Sequence, residues 1–427
     1  MKRPLVLLLL LVLLGVIVMP GVSTVGRVEI VYYLWDDPTF RNIIDTYNAL
    51  QDEVHVKATY LPSTDFETKL TTMLAGGAEI DCWMQKRQSD MFPHHANGFI
   101  EPLNGYIRKY KYDMTIIKAS YLRQISIGGR ILAIPFRGAG YFTYYNKKLF
   151  AKAGLATPTE LVRKGQWTWD KFAETARKLS SGDGRQYGAC LYIWPQLTFF
   201  PAIQSGVEFI TPQGRLDLDA KTIGYSIKLR RDLEQAKAVM ALAELKATKL
   251  HYSKAFYDGN VGMLIIGEWF PGYMMAARDQ GFLRGYTWND WALTRVPCNT
   301  KTYATMGNCT FNHISKHSRK KDAAFKFIAW MGSAEGAKCV ARNGILPAYV
   351  DEAIGAELTK VLPDKDSAAY LMENVAKLPI YYSIYGSQIE PALSLLLDQY
   401  LGSGMTEARF VQELQRSMKE IIGSTGY

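Results

Sequence analysis

The chain has 427 residues, room for two or three domains at roughly 150 residues each. Hydrophobic residues at 48% and charged residues at 21% exclude a mostly disordered chain, and one long apolar run alone excludes a polytopic membrane protein. Lys plus Arg total 50 against 40 Asp plus Glu, a net charge of +10, but no dense basic block carries that surplus, so it reads as solvated surface and nucleic acid is not an expected partner.

The N-terminus reads Met1-Lys2-Arg3-Pro4, then Leu5 to Val18 without a charge, then Pro20-Gly21-Val22-Ser23-Thr24. A basic start, a short apolar stretch and small residues after a helix breaker predict a secretory signal over 1–26, with an uncleaved anchor as the alternative. Val28 to Leu34 predicts a buried strand. Asp37 and Pro38 then suit the N-cap and first position of a helix whose Phe40, Ile43, Ile44 and Tyr47 share one face. Val54 to Tyr60 alternates as a second strand. Thr64 and Glu67 have capping-box spacing ahead of Phe66, Leu70, Met73 and Leu74, and Gly76-Gly77 ends that helix. Ile80 to Met84 predicts a third strand, and the alternation points to a parallel sheet covered on both sides.

Further strands are predicted at Ile131–Phe136, Thr143–Tyr145, Tyr187–Tyr192 and Val261–Ile266, the last running into Gly267-Glu268-Trp269. Helices are predicted after Trp167-Thr168-Trp169-Asp170, over Asp219–Lys246, over Lys321–Met331 and in the tail after Ser387. The five cysteines are Cys82, Cys190, Cys298, Cys309 and Cys339. Their odd count leaves a free thiol; Cys82, Cys190 and Cys339 read as small buried hydrophobes, and the pairing of Cys298 with Cys309 stays open.

Catalytic motifs are missing. There is no G-x-S-x-G, no phosphate-cradling glycine loop and no C-x-x-C. His313 and His317 have helical metal-pair spacing but lack the glutamate of a zinc protease, so a surface turn is the plainer reading. No metal, cofactor or catalysis is expected, although scattered carboxylates leave a glycosidase pair open.

The order of the motifs resembles the extracellular solute-binding proteins of family 1, the sugar receptors of bacterial ABC importers. The blocks are Tyr33 to Asp37; Phe66 to Leu70 with Leu74 to Asp81, where Ile80 stands in place of the family's usual Pro; Ile134 to Phe136 with Tyr144 to Leu155; Ala255 to Met263 with Gly267 to Trp269; and Asp322 to Ile328 with Ser333 to Gly336 and Gly344 to Pro347. The family's lipoproteins carry a Cys after the signal and this chain does not, so lipid anchoring through it is not expected.

The resemblance implies an α/β protein of two lobes with a multi-crossing hinge and a ligand cleft between them. One lobe would take residues 27–137 and 303–348, the other 138–302 and 349–427. It implies a monomer at the periplasmic or extracellular face of the envelope. There it would capture a carbohydrate, expected as an oligosaccharide, for an ABC permease. A sugar presents C–H faces to aromatic rings and a rim of hydroxyls to polar groups. Candidate ligand residues are therefore Trp35 and Asp36 at the end of the first strand, with Asp36 alternatively a helix cap. Gln85, closing the third strand, and Asn308, near the second crossing, compete with loop roles. Arg137 and Tyr141 flank Gly138 and Gly140 at the first crossing, where a hinge role competes. Trp194 could enter from the second lobe. Glu268 and Trp269 follow a buried strand, where Gly267 allows a close approach. Trp167, Trp169 and the solvated loop end Lys86-Arg87 are read as structural. The rivals are a receptor for an anion, using Arg137, Lys86 and Arg87; a receptor for a polyamine, using Asp36 and Glu268; and a secreted carbohydrate-active enzyme.

Overall fold

The computed structural model describes residues 26–285, 287–381 and 383–424. The expected signal segment lies outside them, apart from Gly26. Two hydrophobic cores organise the chain. The first gathers side chains from Ile30 to Ala139, Cys309 to Met331 and part of 339–348; the second gathers Tyr141 to Met306 and most of the remainder to Ile421.

The first lobe opens with β1 (Val28–Trp35), α1 (Phe40–Leu50), β2 (Val54–Leu61), α2 (Phe66–Ala75), β3 (Cys82–Gln85) and α3 (Gln88–Ala96). β1 runs parallel to both β2 and β3. The five-stranded sheet is then completed by Thr310–Ile314, antiparallel to β3, and by Ile134–Arg137 at the edge, antiparallel to Thr310–Ile314. The sheet is therefore mixed, not purely parallel, because Thr310–Ile314 returns from the other lobe instead of from a crossover helix. The second lobe has a four-stranded sheet ordered Trp291–Arg295, Tyr141–Asn146, Val261–Gly267, Tyr187–Cys190, of which only the last pair is parallel.

Local chemistry moved several boundaries. Asp37 does not cap α1: its carboxylate accepts from the N–H and Oγ1 of Thr39, and the helix starts at Phe40, two residues later than expected. The Thr64–Glu67 box does not form. Asp65 holds the N-cap of α2 without a side-chain bond, because Glu67 turns away to accept from Gln85. The strand expected at Ile131–Phe136 breaks at Leu132–Ala133, that at Tyr187 ends at Cys190, and the helix from Asp219 is interrupted after Gln235, where Lys237 takes a positive φ. Lys321–Met331 is helical over its expected length. All five cysteines are free, Cys298 and Cys309 among them. His313 is not in a surface turn. It is fully buried in the strand Thr310–Ile314 with Nδ1 2.7 Å from the Leu132 carbonyl, while His317 lies in the exposed turn beyond.

The chain crosses between the lobes on backbone held by other crossings. The Gly138 N–H donates to the Leu346 carbonyl at 2.8 Å, and Ala348 N–H to Phe136 at 3.0 Å. Thr305 Oγ1 accepts from the Tyr141 N–H and donates to the Tyr141 carbonyl. Ala304–Met306 pairs in parallel with Ala376–Leu378. Gly140 and Gly307 both adopt left-handed φ, and a Cβ on Gly307 would lie 2.6 Å from the Gly140 nitrogen. Backbone cannot swing aside as a side chain can. Gly307→Ala is expected to destabilise the fold by about 1–3 kcal/mol, read as a lower urea midpoint at unchanged slope. An unaltered midpoint would mean that these crossings tolerate a side chain.

Candidate functional site

The carboxyl ends of the first lobe's strands face the second lobe, and the candidate residues converge there. β1 delivers Trp35, the strand Ile134–Arg137 delivers Arg137, and the strand Val261–Gly267 runs directly into Glu268 and Trp269. Arg137 Nε sits 3.1 Å from Glu268 Oε1, with both side chains buried. The Nε–H is not aligned on the carboxylate and makes no hydrogen bond, so this contact is a charge pair without a bond. The guanidinium lies over two indoles, 5.0 Å from the Trp269 centroid and 5.6 Å from Trp35. Arginine is weakly hydrated and planar, which suits it to such a stack. Burial pushes the Glu268 carboxyl up to about 7 against the opposing pull of Arg137.

Trp269 is half-buried. Its Nε1 donates to the Tyr252 hydroxyl at 2.8 Å, and Tyr141 and Trp194 meet its ring at 5.8 and 6.1 Å. Gly267 is what lets the ring fold back: a Cβ there would lie 1.9 Å from the indole. The close approach that this glycine permits is that of Trp269 itself. Trp194, also half-buried, packs edge-on to Tyr192 at 5.2 Å and tilted to Tyr252 at 5.7 Å. The second lobe thus presents the half-buried indoles of Trp194 and Trp269, backed by the buried ring of Tyr252.

Trp35 is placed differently. It is 4% exposed, with Phe40 and Phe66 edge-on to it, and Lys86 Nζ 4.5 Å from its centroid. Its faces are taken by protein, so it backs the site instead of lining it. Gln85 is fully buried: Oε1 accepts from Trp83 Nε1 and from His94 Nδ1, and Nε2 donates to Glu67 at 2.7 Å. Because that amide oxygen only accepts, the His94 proton is assigned to Nδ1, and Nε2 accepts from Thr71. Asn308 spends both ends of its amide on the Ile380 backbone. Asp36 is exposed, its backbone N–H continuing the sheet to Leu61.

The structure therefore brings together Trp35, Arg137, Tyr141, Trp194, Glu268 and Trp269. It leaves Gln85 and Asn308 with structural partners and Asp36 on the surface. Lys86 and Arg87 are not a solvated loop end: Lys86 stacks on Trp35, and Arg87 pairs with Asp90 and with Glu390 of the second lobe. Burial drives the Lys86 ammonium down to about 8, opposing the attraction of Glu67. Tyr252, Glu67 and Glu390 also join the site. Arg87 and Asp90 are spaced as helical neighbours, a readable signal, but nothing in the sequence ties Arg87 to Glu390. No cluster of metal-binding side chains exists among the described residues.

Two α/β lobes, joined by interlocked crossings and facing each other across aromatic and paired charged residues, define a solute receptor. The chain belongs to the bacterial extracellular solute-binding protein family, whose model matches residues 36–338. It is similar in structure to a sugar transporter of Rhizobium etli in an open conformation, at 28% identity, TM-score 0.73, and 92% and 99% coverage of the two chains. It also resembles an ABC substrate-binding protein of Listeria monocytogenes in complex with cycloalternan, at 21% identity, TM-score 0.80, and 94% and 100% coverage. A mannitol-binding protein of Pseudomonas aeruginosa is 36% identical over 96 residues, which span 22% of this chain and 20% of that protein.

The buried Glu268 carboxyl yields a pH prediction. Its value in the fold is raised from about 4.5 to about 7, so its contribution to stability is complete below pH 4.5 and is lost as the pH rises through 7. Glu268→Gln removes that dependence. Between about pH 5 and pH 8 the stability of the natural protein should fall relative to the variant, measured by denaturant melts across that range. Parallel curves would place Glu268 in an ordinary, solvated environment.

Proposed function

We propose that this protein is an exported receptor that captures a neutral carbohydrate and delivers it to the permease of an ABC importer. The observation that carries this reading is the pair of half-buried indoles, Trp194 and Trp269, backed by Tyr252 and set beside charges that are already paired. Aromatic faces suit the C–H faces of a sugar, and an oligosaccharide is the ligand expected for a pair of indoles. The sugar-transporter relative and the mannitol-binding relative support the class.

Pairing weighs against the charged rivals. An anion needs Arg137, Lys86 and Arg87 free to converge, but Arg137 is paired with Glu268 and Arg87 with Asp90 and Glu390. A polyamine needs free carboxylates, and Glu268 is committed while Asp36 stands apart. An enzyme needs a carboxyl at liberty to act as acid or nucleophile; Glu268 and Glu390 are each held by an arginine, and Glu67 is tied to Gln85 behind the site. The protein acts without cofactor, as a monomer, and returns its ligand unchanged. The apolar Leu5–Val18 run supports export, with a mature form beginning between about Val22 and Arg27. Among the described residues no helix is long and apolar enough to cross a membrane.

A thermal-shift panel of mono- and oligosaccharides, polyols, a uronate and spermidine tests the reading. A neutral sugar or polyol is expected to raise the melting temperature, because a ligand that binds only the folded state stabilises it, and chromatography should recover it intact. With that ligand, Trp269→Ala is expected to weaken binding roughly thirtyfold, about 2 kcal/mol. Stabilisation by the uronate or spermidine alone, or cleavage of the sugar, would overturn the proposal.

A further inference from the structure

Arg87 occupies a singular position. It follows β3 in the first lobe and opens α3. Its guanidinium is gripped by Asp90 of the same lobe, Nε to Oδ2 at 3.0 Å and Nη2 to Oδ1 at 3.4 Å. The remaining edge of the fork, at Nη1, reaches Glu390 on the helix Gly386–Gly402, whose Ile389 and Leu393 are anchored in the core of the second lobe. The side chains of Arg87 and Glu390 keep 25% and 23% of their exposure, so the pair stands at the cleft edge within reach of solvent. Other charged or titratable groups about it are Glu67, Lys86 and Tyr381. The helix ends that carry the pair also touch: a Cβ on Gly386 would lie 2.5 Å from the Ser89 side chain.

We propose that the Arg87–Glu390 ion pair is a closure latch, made when the lobes come together and broken when they part. The two contacts of Arg87 have unequal fates. Asp90 lies on the same rigid lobe and keeps the guanidinium in place whether the cleft is open or closed. Glu390 moves with the other lobe. Asp90 therefore fixes the bolt in advance, and closure meets little rotamer entropy at Arg87. Arginine suits this duty because its fork serves two carboxylates at once. The latch acts on the open–closed equilibrium and not on the ligand, so ligand affinity follows it only through the fraction of closed protein. The inference depends on the cleft being the moving joint of the receptor proposed above, but not on the identity of the solute.

The test is small-angle X-ray scattering of ligand-free full-length protein at about 20 mM and 500 mM salt, with melting curves to verify the fold. Screening weakens a pair within reach of solvent, so the natural protein is expected to expand as salt rises. Glu390→Gln should be expanded already at low salt, by roughly a threefold shift toward open forms, and should lose most of the salt response. Arg87→Met should behave the same way, and the double variant should be no more open than either single one. Dimensions of Glu390→Gln that match the natural protein at both salt concentrations would overturn the latch. So would weakened ligand binding without any change in scattering, which would make Glu390 a ligand contact. If the scattering changes as expected and no sugar binds, the latch stands and the carbohydrate reading falls.

Discussion

The arrangement between the lobes depends on one buried charge. Arg137 ends the edge strand of the first lobe's sheet where the chain leaves for the second, and a guanidinium cannot shed its proton to escape burial. Glu268 supplies the countercharge, while Trp35 and Trp269 supply π faces. Removing one partner of such a pair costs about 3–5 kcal/mol, because the other is left uncompensated. The geometry of the neighbours follows from it. Glu268 is held to the crossing by its N–H on the Gly140 carbonyl, and Trp269 must fold back over Gly267 to cover the arginine. That fold-back brings Trp269 edge-on against Tyr141 and Trp194 and hands its N–H to Tyr252.

Much of the fold was legible because its elements are local. β1, α1 and the helix Lys321–Met331 follow from apolar periodicity that tertiary contacts did not override. The family resemblance rested on blocks whose order survives divergence. Errors came where a side chain had two possible partners and the distant one won. Glu67 has capping-box spacing from Thr64, yet bonds Gln85 across the lobe. His313 looked exposed in a polar stretch, yet lies in a strand between Trp83 and Phe311.

The site was half legible for the same reason. Arg137, Trp194, Glu268 and Trp269 sit at ends of recognisable strands, and strand ends point at clefts in open α/β sheets. Trp35 obeys that rule too, but its ring is walled in by Phe40, Phe66, Lys86 and Arg137, an outcome set by packing that no spacing encodes. Asn308 was nominated for its amide, and the Ile380 backbone claimed both ends of it. Glu390 lies in sequence far from every residue it meets in the site, and only the folded chain reveals it.

The order of strands in the first sheet has a consequence for biogenesis. β3 is flanked by β1 on one side and by Thr310–Ile314 on the other, and Ile134–Arg137 pairs with that late strand and with the still later backbone at Pro347 and Ala348. Until residues 310–314 have been synthesised, β3 and Ile134–Arg137 present unpaired edges, and the Leu132 carbonyl has no His313 to meet. The first lobe cannot finish folding before the second lobe's sheet has been made. A nascent chain thus stays unfinished through most of its length. That delay leaves sheet edges exposed on the growing chain, the kind of surface that a holdase shields from edge-to-edge pairing.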